Sequence, residues 1–236
     1  DKDVIENITN SSNWGTFDVL STYLTNGFWS DFGQNARKWN LTDSGINAKS
    51  GTLTYNTSSN WFDPGAGISS SRGDIIDRAF DYLGDITGIN FVKTNDYYTC
   101  DIAFGNNYSG AFANSVVNYG NINYSYINIH SSWYGSSSSE HDYFYQTVIH
   151  EIGHVLGLGH QSFYNGSANF PSDADFANDS WQNSIMSYFS QSNNYNVDAD
   201  YAFIQTMMTA DIEALDKLYG NQSYNGKTFG SSNANT

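Results

Sequence analysis

The sequence predicts an α+β fold, and three observations carry the prediction. Gly51–Tyr55, Ile89–Val92, Asp101–Gly105 and Ile122–His130 are short, apolar or alternating runs bounded by turn residues, which is the pattern of strands. Between the first two runs, Arg72–Leu83 places Ile75, Ile76, Ala79, Phe80 and Leu83 on one face, which predicts a helix ended by Gly84. From Tyr143 a second helix begins, carrying two histidines four residues apart. A chain of 236 residues buries a good core and suits one domain of two lobes beside a cleft.

Taken in order, Phe17 to Phe28 has the spacing of an amphipathic helix. The 56–71 loop holds a turn cluster at Asp63-Pro64-Gly65 and Gly67. Gly110–Ser115 is built from small residues and reads either as a loop or as a strand. His130 and His141 read as surface or capping histidines. Gln161–Asn183 is polar, and its Asp173, Asp175 and Asp179 suit a solvated loop better than a calcium loop of EF-hand spacing. Ala202–Tyr219, with Ile204, Met207, Met208, Ile212, Leu215 and Leu218 at mixed three-four spacing, predicts a last helix whose acids from Asp211 to Asp216 face water. The tail, 221–236, is rich in Gly, Ser and Asn.

Composition removes several classes of partner. A formal charge of −15 with nine Lys+Arg excludes nucleic acid and anionic membrane surfaces. No run approaches the ~18 apolar residues of a membrane span. Cys100 is the sole cysteine, so no intramolecular disulfide forms, and its alternating surroundings predict a buried, inert thiol. The Asp1 start suggests a processed or trimmed product.

The chemistry lies in His150-Glu151-Ile152-Gly153-His154-Val155-Leu156-Gly157-Leu158-Gly159-His160. Residues four apart on a helix differ by about 40° around its axis, so His150 and His154 present imidazoles to one side. Gly157, without a Cβ, permits the left-handed turn that brings His160 back as a third nitrogen. Three protein ligands leave an open position, the arrangement of catalytic rather than structural zinc. Glu151 beside that position suits a general base, and the site predicts metal-assisted amide hydrolysis. A bare His-Glu-x-x-His arises by chance in roughly one chain in a few hundred of this length. Gly157 and His160 at fixed offsets make chance a poor explanation.

Downstream, Ser184-Ile185-Met186-Ser187-Tyr188 adds a methionine followed two residues later by a tyrosine. The extended zinc motif with a later methionine turn is the metzincin pattern. The match narrows with Ser184–Ser190, the run Asp173–Ser180, and Asp211–Leu215 leading to Leu218-Tyr219-Gly220. Together with Arg37-Lys38-Trp39 and Leu53-Thr54-Tyr55, these resemble the serralysin family of zinc peptidases over most of residues 34 to 220. Where that family usually carries proline and glycine after the third histidine, this chain has Gln161-Ser162.

The resemblance implies a metzincin fold: two lobes either side of a cleft, a twisted, mostly parallel sheet with an antiparallel edge strand in the upper lobe, and a mainly irregular and helical lower lobe. It implies an N-terminal helical segment over 1–33, a catalytic domain over 34–220 divided near residue 160, and a tail or linker over 221–236. In the family the N-terminal helix packs on a later calcium-binding domain. The expected site is Zn2+ held by His150, His154, His160 and, at rest, Tyr188. Glu151 is the expected base, Tyr188 a hydrogen-bond donor to the oxyanion, and Met186 the floor beneath the histidines. Ala111, Phe112, Ala113 and Asn114 become the edge strand that binds substrate by main-chain hydrogen bonds. Calcium belongs mainly to a C-terminal repeat domain that residues 221–236 do not contain, so the chain reads as a catalytic fragment. The expected protein is a monomeric, secreted bacterial endopeptidase of broad specificity, exported by a type I route and acting on protein or peptide. The alternatives are a non-catalytic zinc-holding adhesin or toxin module, and a peptidase of another metzincin branch.

Overall fold

A computed structural model describes residues 13–58 and 67–220, with a short strand pair at Ser223–Tyr224 and Lys227–Thr228. The Asp63-Pro64-Gly65 cluster lies outside the described residues.

The upper part is a five-stranded mixed sheet. Its strands are β1 (Thr52–Asn56), β2 (Asn90–Lys93), β3 (Ile102–Gly105), β4 (Ala111–Asn118) and β5 (Asn121–Ile129), in the order β2-β1-β3-β5-β4. All neighbours are parallel except β4 and β5, which pair antiparallel with Ala113 opposite Ile127. Central β3 is buried at every position, as expected where helices cover a parallel strand. Gly110–Ser115 is therefore part of a strand, and β4 forms one edge of the sheet with exposed and half-buried residues alternating from Asn114. This is an α+β architecture, its sheet mostly parallel with one antiparallel edge strand, as expected.

Helix α3 (Ser70–Thr87) is longer than its apolar stripe suggests. It ends not at Gly84 but at Gly88, whose φ of 73° supplies the left-handed cap. Gly84 serves another purpose: a Cβ there would lie 3.2 Å from the Ile89 carbonyl oxygen, where the chain turns into β2. The histidine helix α4 spans Ser138–Val155 and starts well before Tyr143, at a capping box. Ser137 Oγ accepts from Glu140 N at 3.2 Å, and Glu140 Oε2 accepts from Ser137 N at 2.9 Å.

The last helix, α5 (Thr209–Tyr219), begins seven residues later than the apolar pattern predicts. The peptide N–H groups of Ile204 and Met207 are taken by Gln146 Oε1 and the Tyr82 hydroxyl, which hold this run in a non-helical course. Asp211 does not face water. It is fully buried at the third position of α5 and accepts from Met208 N at 2.8 Å.

Near the N-terminus, α1 (Phe17–Thr22) runs through one π-turn into α2 (Phe28–Asp31). Its buried Leu20 and Leu24 join the main core, Lys217 Nζ reaches the Asp18 carboxylate at 2.7 Å, and Ser21 donates to Glu213. Gln161 Nε2 donates to the Leu20 carbonyl. One face of the segment is thus covered within this chain, while Trp14, Phe17, Val19 and Phe32 remain exposed. Between α4 and α5 the chain is irregular, held by side-chain to backbone bonds.

Candidate active site

Three aromatic donors fix the end of α4. The indoles of Trp39 and Trp29 donate to the carbonyls of Val155 and Gly157 at 2.7 and 2.8 Å, and the Tyr219 hydroxyl donates to Leu156 at 2.7 Å. A helix leaves its last carbonyls without intrahelical partners, so these bonds anchor the turn where it must reverse. Gly157 takes φ 104°, and a Cβ there would sit 2.2 Å from the Arg37 carbonyl oxygen. Only glycine fits both the conformation and the space.

The reversal brings His160 to His150 and His154, and one nitrogen from each lies within 4.8 Å of the other two. The opposite ring nitrogens are pinned. Nδ1 of His150, His154 and His160 lies 2.8, 2.9 and 2.9 Å from the carbonyls of Ile185, Leu158 and Tyr164. A carbonyl only accepts, so each Nδ1 carries the proton and each Nε2 turns a lone pair inward. His154 Nε2 and His160 Nε2 are 3.0 Å apart. Burial lowers His150 to about 4 and His154 to about 3, and takes His160 well below its usual value, with mutual repulsion adding to the effect at His154 and His160. Three neutral imidazoles with convergent lone pairs need a cation between them, and this donor set fits zinc.

Glu151 is buried beside them, and its Oε2 has no hydrogen-bond partner. Burial pushes its carboxyl up to about 8. An unsatisfied buried carboxyl oxygen next to a cation site is a cost that a reacting water would relieve. Met186 is fully buried beneath the helix, and a Cβ on Gly153 would meet its Sδ at 2.6 Å. Gly153 therefore lets the methionine approach the helix backbone directly under the histidines. The Tyr188 ring lies 4.4 Å from the His160 ring, and its hydroxyl accepts from Gly166 N at 3.3 Å.

Two cavities meet over this group. One, of about 580 Å3, is walled by Ala111–Ser115, the three histidines, Glu151 and Tyr188, and by Phe28, Trp29 and Arg37. The other, of about 630 Å3, shares His150, Glu151 and Tyr188 but reaches only Gly110–Phe112 of the edge, with Trp133, Tyr143 and Trp181 as aromatic walls.

Sequence reasoning missed several of these parts. Phe28 packs edge-on against His160 at 5.2 Å, so the N-terminal segment helps build the site. Asp179 is not solvated. It is fully buried, accepting from Ser162 Oγ at 2.6 Å and from the Tyr164 hydroxyl, and that hydroxyl in turn accepts from Tyr188 N at 3.1 Å. Asp173 and Asp175 accept from the amides of Asn169 and Phe163. Among the described residues, the histidine trio is the group of His, Cys, Asp or Glu side chains assembled to hold a metal ion. His130 and His141 stay apart from it, with His130 capping a short turn and His141 stacked on Tyr134. Cys100 is buried and unpaired, its thiol pushed up to about 11 by burial.

The model of the reprolysin-like metallopeptidases, family M12B, matches residues 93–212, about half the chain. The chain belongs to that family. Among curated relatives, Serralysin C of Dickeya chrysanthemi is 42% identical over 98 residues, 38% of this chain and 20% of its own. Serralysin of Proteus mirabilis is 32% identical over 166 residues (61% and 33%). Metalloprotease AprA of Pseudomonas entomophila is 29% identical over 197 residues (76% and 40%). The metallopeptidase domain is thus of the serralysin type of metzincin, and it spans well under half the length of each of these relatives. Among solved structures, the GM1-bound form of the ECX AB5 holotoxin aligns over 52% of this chain and 57% of that one, at a TM-score of 0.32 and 18% identity, too slight a likeness to bear on the fold. No described helix is long and apolar enough to cross a membrane.

Proposed function

We propose that this metallopeptidase domain is the catalytic portion of a secreted, zinc-dependent endopeptidase that cleaves extended segments of protein with broad specificity. The observation that carries the reading is the trio of neutral imidazoles closing on one point beside an orphaned buried carboxylate oxygen. His150, His154 and His160 would hold zinc, which when bound supplies a Lewis acid for the attacked carbonyl and for water. Glu151 Oε2 accepts a proton from the attacking water and returns it to the departing amine. Tyr188 would add a further ligand at rest, and its hydroxyl would donate to the oxyanion. Its half-buried hydroxyl has only the Gly166 amide to leave.

Substrate binds as an added antiparallel strand along Ala111, Phe112, Ala113 and Asn114, where main-chain bonds give affinity with little sequence demand. Met186 fixes the floor beneath the histidines. Residues 34–220 form the catalytic domain, 1–33 an N-terminal segment, and 221–236 a linker toward calcium-binding repeats of a longer monomeric protein exported by a type I route.

Casein cleavage by three samples tests the chemistry: protein as purified, protein chelated and then restored with zinc, and Glu151→Ala with its zinc content measured. Activity that vanishes on chelation, returns with zinc and is absent from zinc-loaded Glu151→Ala is the expected result. A folded, zinc-loaded wild type that cleaves nothing refutes the proposal.

A further inference from the structure

The cleft holds one cation whose purpose the chemistry above does not use. Among the described residues, Arg37 is the only Lys or Arg lining either of the two cavities. Its backbone is fixed. The Arg37 carbonyl fills the space beside Gly157, Lys38 forms a bridge with Asn121 at the start of β5, and Trp39 is tied to Val155. Its guanidinium lies over the Trp29 ring with Cζ 3.8 Å from the centroid, and Nη2 donates to the Gln34 side chain. Stacking of this kind leaves the in-plane N–H groups free to fork onto a carboxylate.

Yet among the described residues no carboxylate takes them. Among the described residues, the ion pairs to carboxylates are made by Lys49, Lys93 and Lys217, and Arg37 Nε is buried without a hydrogen-bond partner. In a chain with 24 acidic and nine basic residues, a preorganised guanidinium that pairs with none of the described acids is poised for one from outside.

The sheet says which part of a peptide meets it. A strand added antiparallel to β4 runs from the Ser115 end toward Gly110. The cavity holding Arg37 follows the edge from Ala111 to Ser115, whereas the other reaches only Gly110–Phe112. Arg37 therefore faces residues that precede the scissile bond.

We infer that Arg37 is a specificity residue of the cleft, selecting peptides with glutamate or aspartate within three residues on the N-terminal side of the cleaved bond. The inference rests on the peptidase reading above. It gives a chain that recognises main chain broadly a bias toward acidic segments, set by one side chain against the repulsion of its own net charge.

The test uses fluorogenic peptides with Glu, Gln or Lys at each of the three positions before the scissile bond, cut by zinc-loaded wild type, Arg37→Gln and Arg37→Glu. At one position kcat/KM should favour Glu over Gln by roughly tenfold at low salt, equivalent to about 1.4 kcal/mol. Arg37→Gln should abolish that ratio and Arg37→Glu should invert it toward Lys. Calorimetry of the Glu and Gln peptides with Glu151→Ala protein reads the same preference without turnover, and the difference should shrink as salt rises. Ratios within twofold at all three positions overturn the inference. So does a Glu preference that survives Arg37→Glu in protein with wild-type circular dichroism and melting. Should wild type cut no peptide, the peptidase reading fails, and equal binding of the two peptides then overturns the Arg37 role separately.

Discussion

Asp211 offers the sharpest check on how the site is held, because it lies out of reach of the chemistry. Its carboxylate accepts from Ser184 Oγ at 2.6 Å, from Ile185 N at 2.8 Å and from Met208 N at 2.8 Å. Ser184 Oγ in turn accepts from Met186 N, and the Ile185 carbonyl holds His150 Nδ1. One buried carboxylate thus ties the start of α5 to the methionine turn and, through it, to the first metal-site histidine. Asp211→Ala orphans the buried Ile185 amide, at about 1–3 kcal/mol. It also removes the cap at Met208, at about 1 kcal/mol. The sum, about 2–4 kcal/mol, lowers the melting temperature by roughly 5–15 °C in a chain of this size.

The loss should depend on pH in a defined sense. Burial raises Asp211 to about 6 against these hydrogen bonds. An acid whose folded value lies above its unfolded one holds its proton in the native state. Wild type therefore loses this group's share of stability as pH rises from about 4 to about 6, and the loss is complete above that window. Asp211→Ala lacks that slope, so the variant falls further short of wild type at pH 5 than at pH 7.5. Zinc affinity should drop about tenfold, the low end for a group that orients a ligand from a distance. Thermal melts at both pH values and zinc titration against a competing chelator provide the measurements. A variant that melts within two degrees of wild type at pH 5 and binds zinc equally well refutes the linkage.

Two further predictions concern the histidine helix. Gly153→Ala drives a Cβ into Met186 Sδ at 2.6 Å, and overpacking of about 1–3 kcal/mol outweighs the ~1 kcal/mol gain in helix propensity. Adding Met186→Ala should relieve the clash, so a double-mutant cycle should give a coupling above about 1 kcal/mol, and additive losses would disprove the contact. Chelated protein should lose stability as pH falls from about 6.5 toward 4. Its buried neutral histidines titrate far below their unfolded values, so the unfolded chain binds those protons first. A chelated sample equally stable at pH 7 and pH 4.5 contradicts that account.

What could be read in the sequence was local. His150, His154 and Gly157 announce themselves through helical spacing and one left-handed turn, and the strands through alternation along a few residues. The Ser137–Glu140 capping box is local too, yet the apolar pattern alone starts α4 at Tyr143 and misses it. The unread parts are those decided far along the chain. An aspartate looks the same at 173, 179 or 211. Only the fold puts Ser162 and Tyr164 against the second, and Ser184 and Met208 against the third. Residues 202–208 match a helical stripe, yet Gln146 and Tyr82, 58 and 125 positions away, claim the amides that a helix would need. Arg37 stands in the sequence only as part of a family-like run, and the fold alone stacks it on Trp29 in one cavity with the β4 edge.

The same division of labour sets how metal and fold depend on one another. The carbonyls that orient His154, His160 and His150 come from residues 158, 164 and 185, all in the irregular stretch between α4 and α5. That stretch forms no strand among the described residues, and Asp179 and Asp211 are two of the buried groups whose hydrogen bonds order it. Zinc that binds only the closed arrangement stabilises it by RT ln(1 + [Zn]/Kd), about 2.7 kcal/mol at a hundred times Kd. On chelation, amide exchange should quicken first across 158–190, including the Tyr188 amide held by Tyr164, while β3 and β5 keep their protection. Exchange that quickens equally in the sheet would mean the site and the whole fold open as one unit, and the irregular stretch would then owe its order to the core rather than to the metal.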